Sequence, residues 1–296
     1  FPGYLFVFFG LFLTLTLYSQ NEAKKWYFGN GAGLNFSTNP PTALANGSMV
    51  VFEGCASIAD GAGNLLFYTD GISVWNQSHN IMANGTGLNG QWTPSQSAII
   101  LKKPGSPSVY YIFTVTGGNN VNFPTGAYYS EVDMSLAAGQ GSVTVKNATL
   151  STAYTSEKLT ATKHCNGVDW WVLVRDANYV NMSPMFRAFL VTNMGVNVNP
   201  VLSAAPNWSV NNVYYYDIGC MKISPNGKKL GCAMYNANWN NLNGAGFELY
   251  DFDNTTGVVS NSLGLAVSNF TLNNWWGGYG CEFSPDGTKF YGSRLW

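Results

Sequence analysis

The sequence predicts an all-β protein built from repeated antiparallel sheets, and three observations support this. The stretch at residues 280–291 repeats the one at residues 219–230, about 60 residues earlier. In each copy a short apolar strand leads into a Ser-Pro-Asn/Asp-Gly turn and a second strand, and Asn226-Gly227 and Asp286-Gly287 are expected to supply the positive φ angles of a hairpin. Aromatic residues make up 15% of the chain and charged residues 10%, which is typical of strands joined by turns. Together these features predict a β-propeller, in which each repeat is a four-stranded blade with long loops.

The expected strands fill four complete antiparallel blades and part of a fifth. The first blade is expected at residues 55–59, 64–69, 72–76 and 80–83, and the second at 97–102, 109–115, 127–134 and 142–150. The third is expected at 159–164, 169–176, 185–192 and 196–202, and the fourth at 219–224, 228–235, 247–253 and 258–263. Short strands at 25–29 and 34–36 are expected to close the last blade of a ring. The predicted domain at residues 21–296 is therefore a propeller fragment whose fifth blade stops after two strands.

The N-terminal residues predict export. Residues 4–18 are an unbroken apolar run apart from two threonines, and a polar segment follows them. A run of about 15 apolar residues is shorter than the roughly 20 that span a bilayer, so a signal peptide at 1–20, truncated at its start, is favoured over a membrane anchor. We expect no membrane insertion after cleavage. The net charge of −1 gives no electrostatic basis for binding nucleic acid.

The five cysteines are expected to be buried free thiols rather than disulfide partners. Cys55, Cys220 and Cys281 occupy equivalent places in the repeats, which makes them poor candidates for pairing with each other. If residues 225–228 form the turn, Met221 lies opposite Cys232, and the Cys220 and Cys232 sulfurs point to opposite faces of the sheet. No cysteine or histidine spacing is typical of a zinc site.

Six segments carry a resemblance to a known family. They are residues 26–29 (Trp-Tyr-Phe-Gly), 53–58 (Glu-Gly-Cys-Ala-Ser-Ile), 63–71 (Gly-Asn-Leu-Leu-Phe-Tyr-Thr-Asp-Gly), 96–100 (Gln-Ser-Ala-Ile-Ile), 157–161 (Glu-Lys-Leu-Thr-Ala) and 252–257 (Phe-Asp-Asn-Thr-Thr-Gly). They resemble the N-terminal propeller of gliding-motility-associated surface proteins of Bacteroidota. The resemblance implies export by the type IX route, a place at the cell surface, and further domains of the same polypeptide. It implies no particular activity.

Long connections rich in Asn and aromatic residues are the main functional indication. In an antiparallel blade these connections fall on one face of the ring, whereas the tight turns fall on the other. The aromatic candidates for ligand binding on the long-loop face are Trp92, Phe123, Tyr179, Trp208, Trp239, Trp275 and Trp276. Amphipathic rings beside amide groups suit a glycan or a protein surface. The alternative is that these rings pack against one another to hold the loops down.

Three carboxylates are candidates for a cation site. Glu53, Glu157 and Asp217 each stand just before the first strand of a blade, which would place them near the mouth of a central channel. Converging oxygen ligands would suit Ca²⁺ or an acid/base pair, as in a metal-dependent, lactonase-like propeller enzyme. The alternative is that each carboxylate accepts hydrogen bonds from neighbouring backbone. The two histidines, His79 and His164, fall in tight turns and are expected to be solvated there.

These observations favour a non-catalytic, secreted or cell-surface recognition or adhesion module that binds an extracellular glycan or protein through the long-loop face. No cofactor is expected, with Ca²⁺ as the one candidate. The alternatives are the lactonase-like enzyme and an architectural domain of a large surface protein.

Overall fold

The computed structural model describes residues 21–117, 125–177, 184–205, 217–235, 245–266 and 277–294. These residues form strands and loops with two short 3-10 turns, Asn21–Ala23 and Ala137–Gly139, so the predicted all-β class is confirmed. None of them belongs to a helix with the length and hydropathy needed to cross a membrane. The predicted signal peptide lies outside the described residues.

The strands follow one another as antiparallel meanders. The N-terminal sheet has β1 (Lys25–Phe28), β2 (Ala32–Asn35) and β3 (Thr42–Leu44). The first meander has β4 (Ala56–Ala59), β5 (Leu65–Thr69), β6 (Ser73–Asn76) and β7 (Ile81–Thr86). The second has β8 (Ala98–Lys102), β9 (Val109–Val115), β10 (Ala127–Asp133) and β11 (Ser142–Ser151).

The third meander has β12 (Thr155–Lys163), β13 (Trp170–Asp176), β14 (Met185–Thr192), β15 (Gly195–Val196) and β16 (Val201–Ala204), and both of its last two strands pair with β14. The fourth has β17 (Met221–Ile223), β18 (Lys229–Ala233), β19 (Ala245–Asp253) and β20 (Val258–Ala266). A last hairpin pairs β21 (Gly278–Phe283) with β22 (Phe290–Arg294). Most strands begin and end within a residue or two of their predicted positions.

The first two meanders join into one eight-stranded sheet. Their outer strands β7 and β11 meet in parallel at Ala83 and Ser142. The two end strands of that sheet, β4 and β8, also approach each other. The sheet is therefore nearly closed.

One local expectation, at the repeated turns, is corrected. In the repeated turns only Gly227 and Gly287 have positive φ (68° each), and each donates its N–H to the Ser three residues earlier at 2.8 Å. Asn226 keeps negative φ, and its Oδ1 instead accepts the N–H of Lys228. The turn needs one left-handed residue, and Gly takes it without steric cost. The N-terminal strands β1 to β3 pair with one another, and their expected role in closing the last blade of a ring stays a prediction.

Apolar side chains fill the spaces between consecutive sheets. The contacts run in chain order, from the N-terminal sheet to the last hairpin. They include Tyr27 with Tyr68, Phe67 with Ile112, Phe113 with Val172, Phe186 with Tyr250, and Phe247 with Cys281. Because each meander buries both of its faces, its strands carry apolar residues on both sides.

The five cysteines are free, as predicted, and Met221 lies opposite Cys232. Cys232 and Cys281 are buried, but Cys165 is exposed because it lies in the tight turn between β12 and β13. The prediction of a solvated His79 is wrong. Its ring is half-buried against Tyr27 and Tyr68, and burial lowers its pKa.

Candidate functional site

The beginnings of the first strands (β4, β8, β12, β17 and β21) meet at one place. Backbone hydrogen bonds connect neighbouring ones: Gly54 N–H to Pro94 O (3.0 Å), Glu157 N–H to Asp217 O (2.9 Å), and Cys220 N–H to Tyr279 O (2.7 Å). Each bond joins residues at the start of two different first strands. We call this meeting place the junction.

Ser95 occupies the centre of the junction. Its backbone N–H and its Oγ both donate to Oε2 of Glu157, at 2.8 and 2.7 Å. The same Oγ accepts the N–H of Gly219 at 2.9 Å, and the neighbouring Gln96 accepts the N–H of Met221 through Oε1 at 2.8 Å. One short segment before β8 therefore holds the third and fourth meanders together.

Glu157 is a buried carboxyl whose pKa lies near neutrality. Burial raises its pKa to about 7, and the nearby carboxylate of Glu53 acts in the same direction. The hydrogen bonds from Ser95 and the charge of Lys158 oppose the rise. Gly117 packs against this carboxyl with φ +58°, and a Cβ there would lie 2.7 Å from Glu157 Cγ.

Glu53 and Tyr279 close the junction between the first meander and the last hairpin. The Tyr279 side chain lies near those of Glu53 and Ser95 and interacts with both. Partial burial raises the pKa of Glu53 against the effect of the Tyr279 hydrogen bond. For Tyr279, burial and the carboxylate of Glu53 both raise the pKa. Two of the three predicted carboxylates thus interact electrostatically.

The third predicted carboxylate, Asp217, lies beside a lysine that the sequence reasoning missed. Lys158 is fully buried, and its Nζ donates to the backbone oxygens of Asp217 (3.2 Å) and Ile218 (2.8 Å). Burial and the charge of Arg175 lower the pKa of Lys158, while Asp217 and Glu157 oppose this shift. A lysine side chain of the protein therefore lies next to the carboxyl groups.

No group of three or more His, Cys, Asp or Glu side chains within the described ranges is arranged to hold a metal ion. The proposed metal role of Glu53, Glu157 and Asp217 stays a prediction. The Glu157 carboxyl accepts hydrogen bonds from the backbone and side chain of Ser95, which agrees for this residue with the hydrogen-bonding alternative, whereas the Asp217 bonds described above are accepted by its backbone oxygen.

A second buried charged group lies next to the junction, between the third and fourth meanders. Arg175 Nη2 is 3.5 Å from Glu248 Oε2, with both side chains 3% exposed, and Tyr250 OH donates to the same oxygen at 2.7 Å. The pKa of the neighbouring Cys232 is raised to about 12 by burial. Arg175, Lys158 and Glu248 place buried ionisable groups of both signs beside the junction.

Trp92 is the one predicted ligand-binding aromatic within the described residues, and it is exposed. Its ring is 49% exposed and packs edge-on against Phe52, which is 76% exposed, with 5.6 Å between ring centroids. Each ring lies two residues from the Gly54 to Pro94 hydrogen bond, so the contact that joins β4 to β8 also positions the ring pair. Phe52 was missed because the connection between β3 and β4, in which it lies, was not among the long connections considered from the sequence. The other predicted aromatics, Phe123, Tyr179, Trp208, Trp239, Trp275 and Trp276, lie outside the described residues.

The registers place the predicted long connections at one end of the sheets. Val115 pairs with Ala127, Thr155 with Asp176, Met185 with Ala204, and Ala233 with Phe247. These pairs flank the long connections and lie at the end of each sheet where its first strand begins. The junction and the Phe52–Trp92 pair are at this same end.

No protein-family profile matches this chain, and no curated protein matches it either.

Proposed function

We propose that the chain is a β-propeller module, exported to the cell surface, that recognises an extracellular glycan or protein through the end of the sheets where the first strands begin. The observation that carries this proposal is the exposed Phe52–Trp92 pair beside the junction. Large rings that stay exposed next to a rigid contact are typical of binding surfaces, because their burial on binding contributes much of the affinity.

The propeller arrangement is supported by the stacking of consecutive meanders and by the meeting of their first strands. The apolar segment at residues 4–18 and the family resemblance support export. Further domains of the same polypeptide would anchor or display the module.

Substitution of Trp92 by Ala tests the binding role. We expect Trp92→Ala and Phe52→Ala each to weaken binding about tenfold (about 1.4 kcal/mol), with little change in melting temperature, because both rings are already exposed. Glycan arrays and cell-adhesion assays measure the binding. Met194→Ala is the matched control, since Met194 is 89% exposed elsewhere. If both ring variants bind as the unmodified protein does, the recognition role of this surface is wrong.

A hydrolytic enzyme is a second candidate because of one observation. A buried carboxyl whose pKa is about 7, Glu157, interacts with a second carboxylate, Glu53, and such a pair suits acid/base chemistry at neutral pH. Hydrolysis of chromogenic glycosides and lactones, lost in Glu157→Gln, would support it. The recognition role predicts no turnover of either substrate class.

A further inference from the structure

The outward side of the N-terminal sheet continues the exposed aromatic surface. Trp26 and Phe28 of β1 are 48% and 37% exposed, whereas Tyr27 between them is buried. Val50 and Phe52 are 66% and 76% exposed, with buried Val51 between them. Alternation of this kind means that the exposed residues point to the opposite side from the buried ones.

The two exposed pairs share one side of the sheet. Tyr27 and Val51 belong to the same buried cluster, with Tyr68 of the first meander, so their exposed neighbours point away from that cluster together. Val51 N–H donates to Gly29 O at 3.0 Å, which brings Phe52 close to the end of β1. Phe52 in turn touches Trp92. We call Trp26, Phe28, Phe52 and Trp92 the aromatic row.

Three of the four rings of the row are held in place before any ligand arrives. The indole N–H of Trp26 donates to Ala23 O at 2.8 Å, and its ring packs against Phe36 with 4.7 Å between centroids. Phe52 and Trp92 support each other edge-on. Fixed rings lose little conformational freedom on binding, which favours affinity.

The chemistry of the row indicates an uncharged ligand. None of its side chains is charged, and Val50 beside it is aliphatic. The exposed carboxyl of Glu53, next to Phe52, disfavours an anionic ligand. The amide of the exposed Asn30, which pairs with Val50, adds a hydrogen-bond donor and an acceptor at its edge. Rings with a nearby amide complement the apolar faces and hydroxyl groups of neutral sugars. Trp26 and Phe28 are two residues apart on a strand, about 7 Å, so the row is long enough to contact consecutive sugar units.

From these observations we propose that the aromatic row binds an extended, neutral polysaccharide chain that runs from the junction along the outward side of the N-terminal sheet. This rests on the proposed recognition function and extends it, because it adds Trp26 and Phe28 to the surface and names the ligand class. A single sugar would contact one or two rings, whereas a chain would contact all four. Affinity should therefore rise steeply with the length of the oligosaccharide.

The test measures binding of the full chain to neutral oligosaccharides of one to six units by calorimetry. The panel contains gluco-, xylo-, manno- and chito-oligosaccharides, with polygalacturonate as a charged comparison. We expect a hexasaccharide to bind at least tenfold more tightly than the monosaccharide, and Trp26→Ala and Phe28→Ala each to weaken hexasaccharide binding about tenfold. Tyr291→Ala is the matched control, because Tyr291 is an aromatic residue of β22 that is 55% exposed. Its affinity should be unchanged.

Three results would overturn the inference. One is that no neutral oligosaccharide of the panel binds. Another is binding that Trp26→Ala and Phe28→Ala leave intact; if Trp92→Ala still weakens it, the recognition function survives and only the extension along the sheet is wrong. The third is concentration-dependent self-association in sedimentation velocity that Trp26→Ala abolishes, which would assign the row to contact between copies of the chain.

Discussion

Replacing Glu157 with Gln should stabilise the protein at alkaline pH and leave its stability nearly unchanged at acid pH. Glu157 is buried, and its pKa is raised from 4.5 to about 7, chiefly by burial. A carboxyl whose pKa is higher in the folded state favours folding while it is protonated. That contribution is complete below the unfolded pKa and is lost as the pH rises to the folded pKa. Above about pH 7 the folded protein holds an ionised carboxylate in a poorly solvated place.

The size of the effect follows from the two pKa values. A difference of about 2.5 units corresponds to about 3 kcal/mol at 1.36 kcal/mol per unit. Gln resembles the protonated carboxyl: it is neutral, and its oxygen still accepts the two hydrogen bonds from Ser95. The gain in unfolding free energy from Glu157→Gln should therefore be about 3 kcal/mol larger at about pH 8 than at about pH 4.

Denaturant unfolding of both proteins across this pH range measures the difference. Glu282→Gln is the control, because that carboxyl is 62% exposed and should show little pH-dependent gain. The reasoning about burial is refuted if Glu157→Gln has the same effect at both pH values. It is also refuted if the variant is less stable at pH 8, since the ionised carboxylate would then be a net stabilising partner of Lys158.

Two further predictions concern the junction and the thiols. Ser95→Ala should lower the unfolding free energy by about 1 to 3 kcal/mol, because it removes one of two hydrogen bonds to Glu157 Oε2 and the bond that the Gly219 N–H donates to Ser95 Oγ. Chemical denaturation measures the change, and Ser37→Ala, at an exposed position, should have little effect. In native protein Cys165 should react with a disulfide reagent within minutes, because it is exposed, whereas Cys232 should react only after unfolding, because it is buried and its pKa is raised to about 12. Labelling with and without denaturant measures the two rates, and equal rates in native protein would contradict this prediction.

Strands and turns were predictable because their signals are local. β9 and β14 begin and end where alternation and turn residues place them, at Val109–Val115 and Met185–Thr192. The fourth strand of the third meander was predicted as continuous, but it divides into β15 and β16. Asn197 N–H turns back to Leu190 O, and Pro200 has no N–H to offer the ladder.

The predicted strand boundary that differs most from the structure lies at the junction. The third meander was expected to begin at Leu159, yet β12 begins at Thr155 and the four polar residues 155–158 are all buried. A run of Thr, Ser, Glu and Lys normally indicates a solvated segment. Here residues that are distant in the sequence provide the hydrogen-bond partners of these buried polar groups. Ser156 Oγ donates to Arg175 O, and Ser95, 62 residues before Glu157, donates to the Glu157 carboxyl. No pattern within a short window carries that information.

The junction and the aromatic row divide two tasks between residues that lie close together in the sequence. Ser95 binds the buried carboxyl of Glu157 and the N–H of Gly219, whereas the ring of Trp92, three residues earlier, is exposed and touches Phe52. Buried charges such as Glu157 and Lys158 favour stability only when each finds a partner, and removing one partner leaves the other uncompensated. Substitutions inside the junction should therefore act mainly on folding, and substitutions of the exposed rings mainly on binding. The two roles are separable even though the residues are close in the sequence, because the junction groups are hydrogen-bonded to other first strands whereas the rings are exposed.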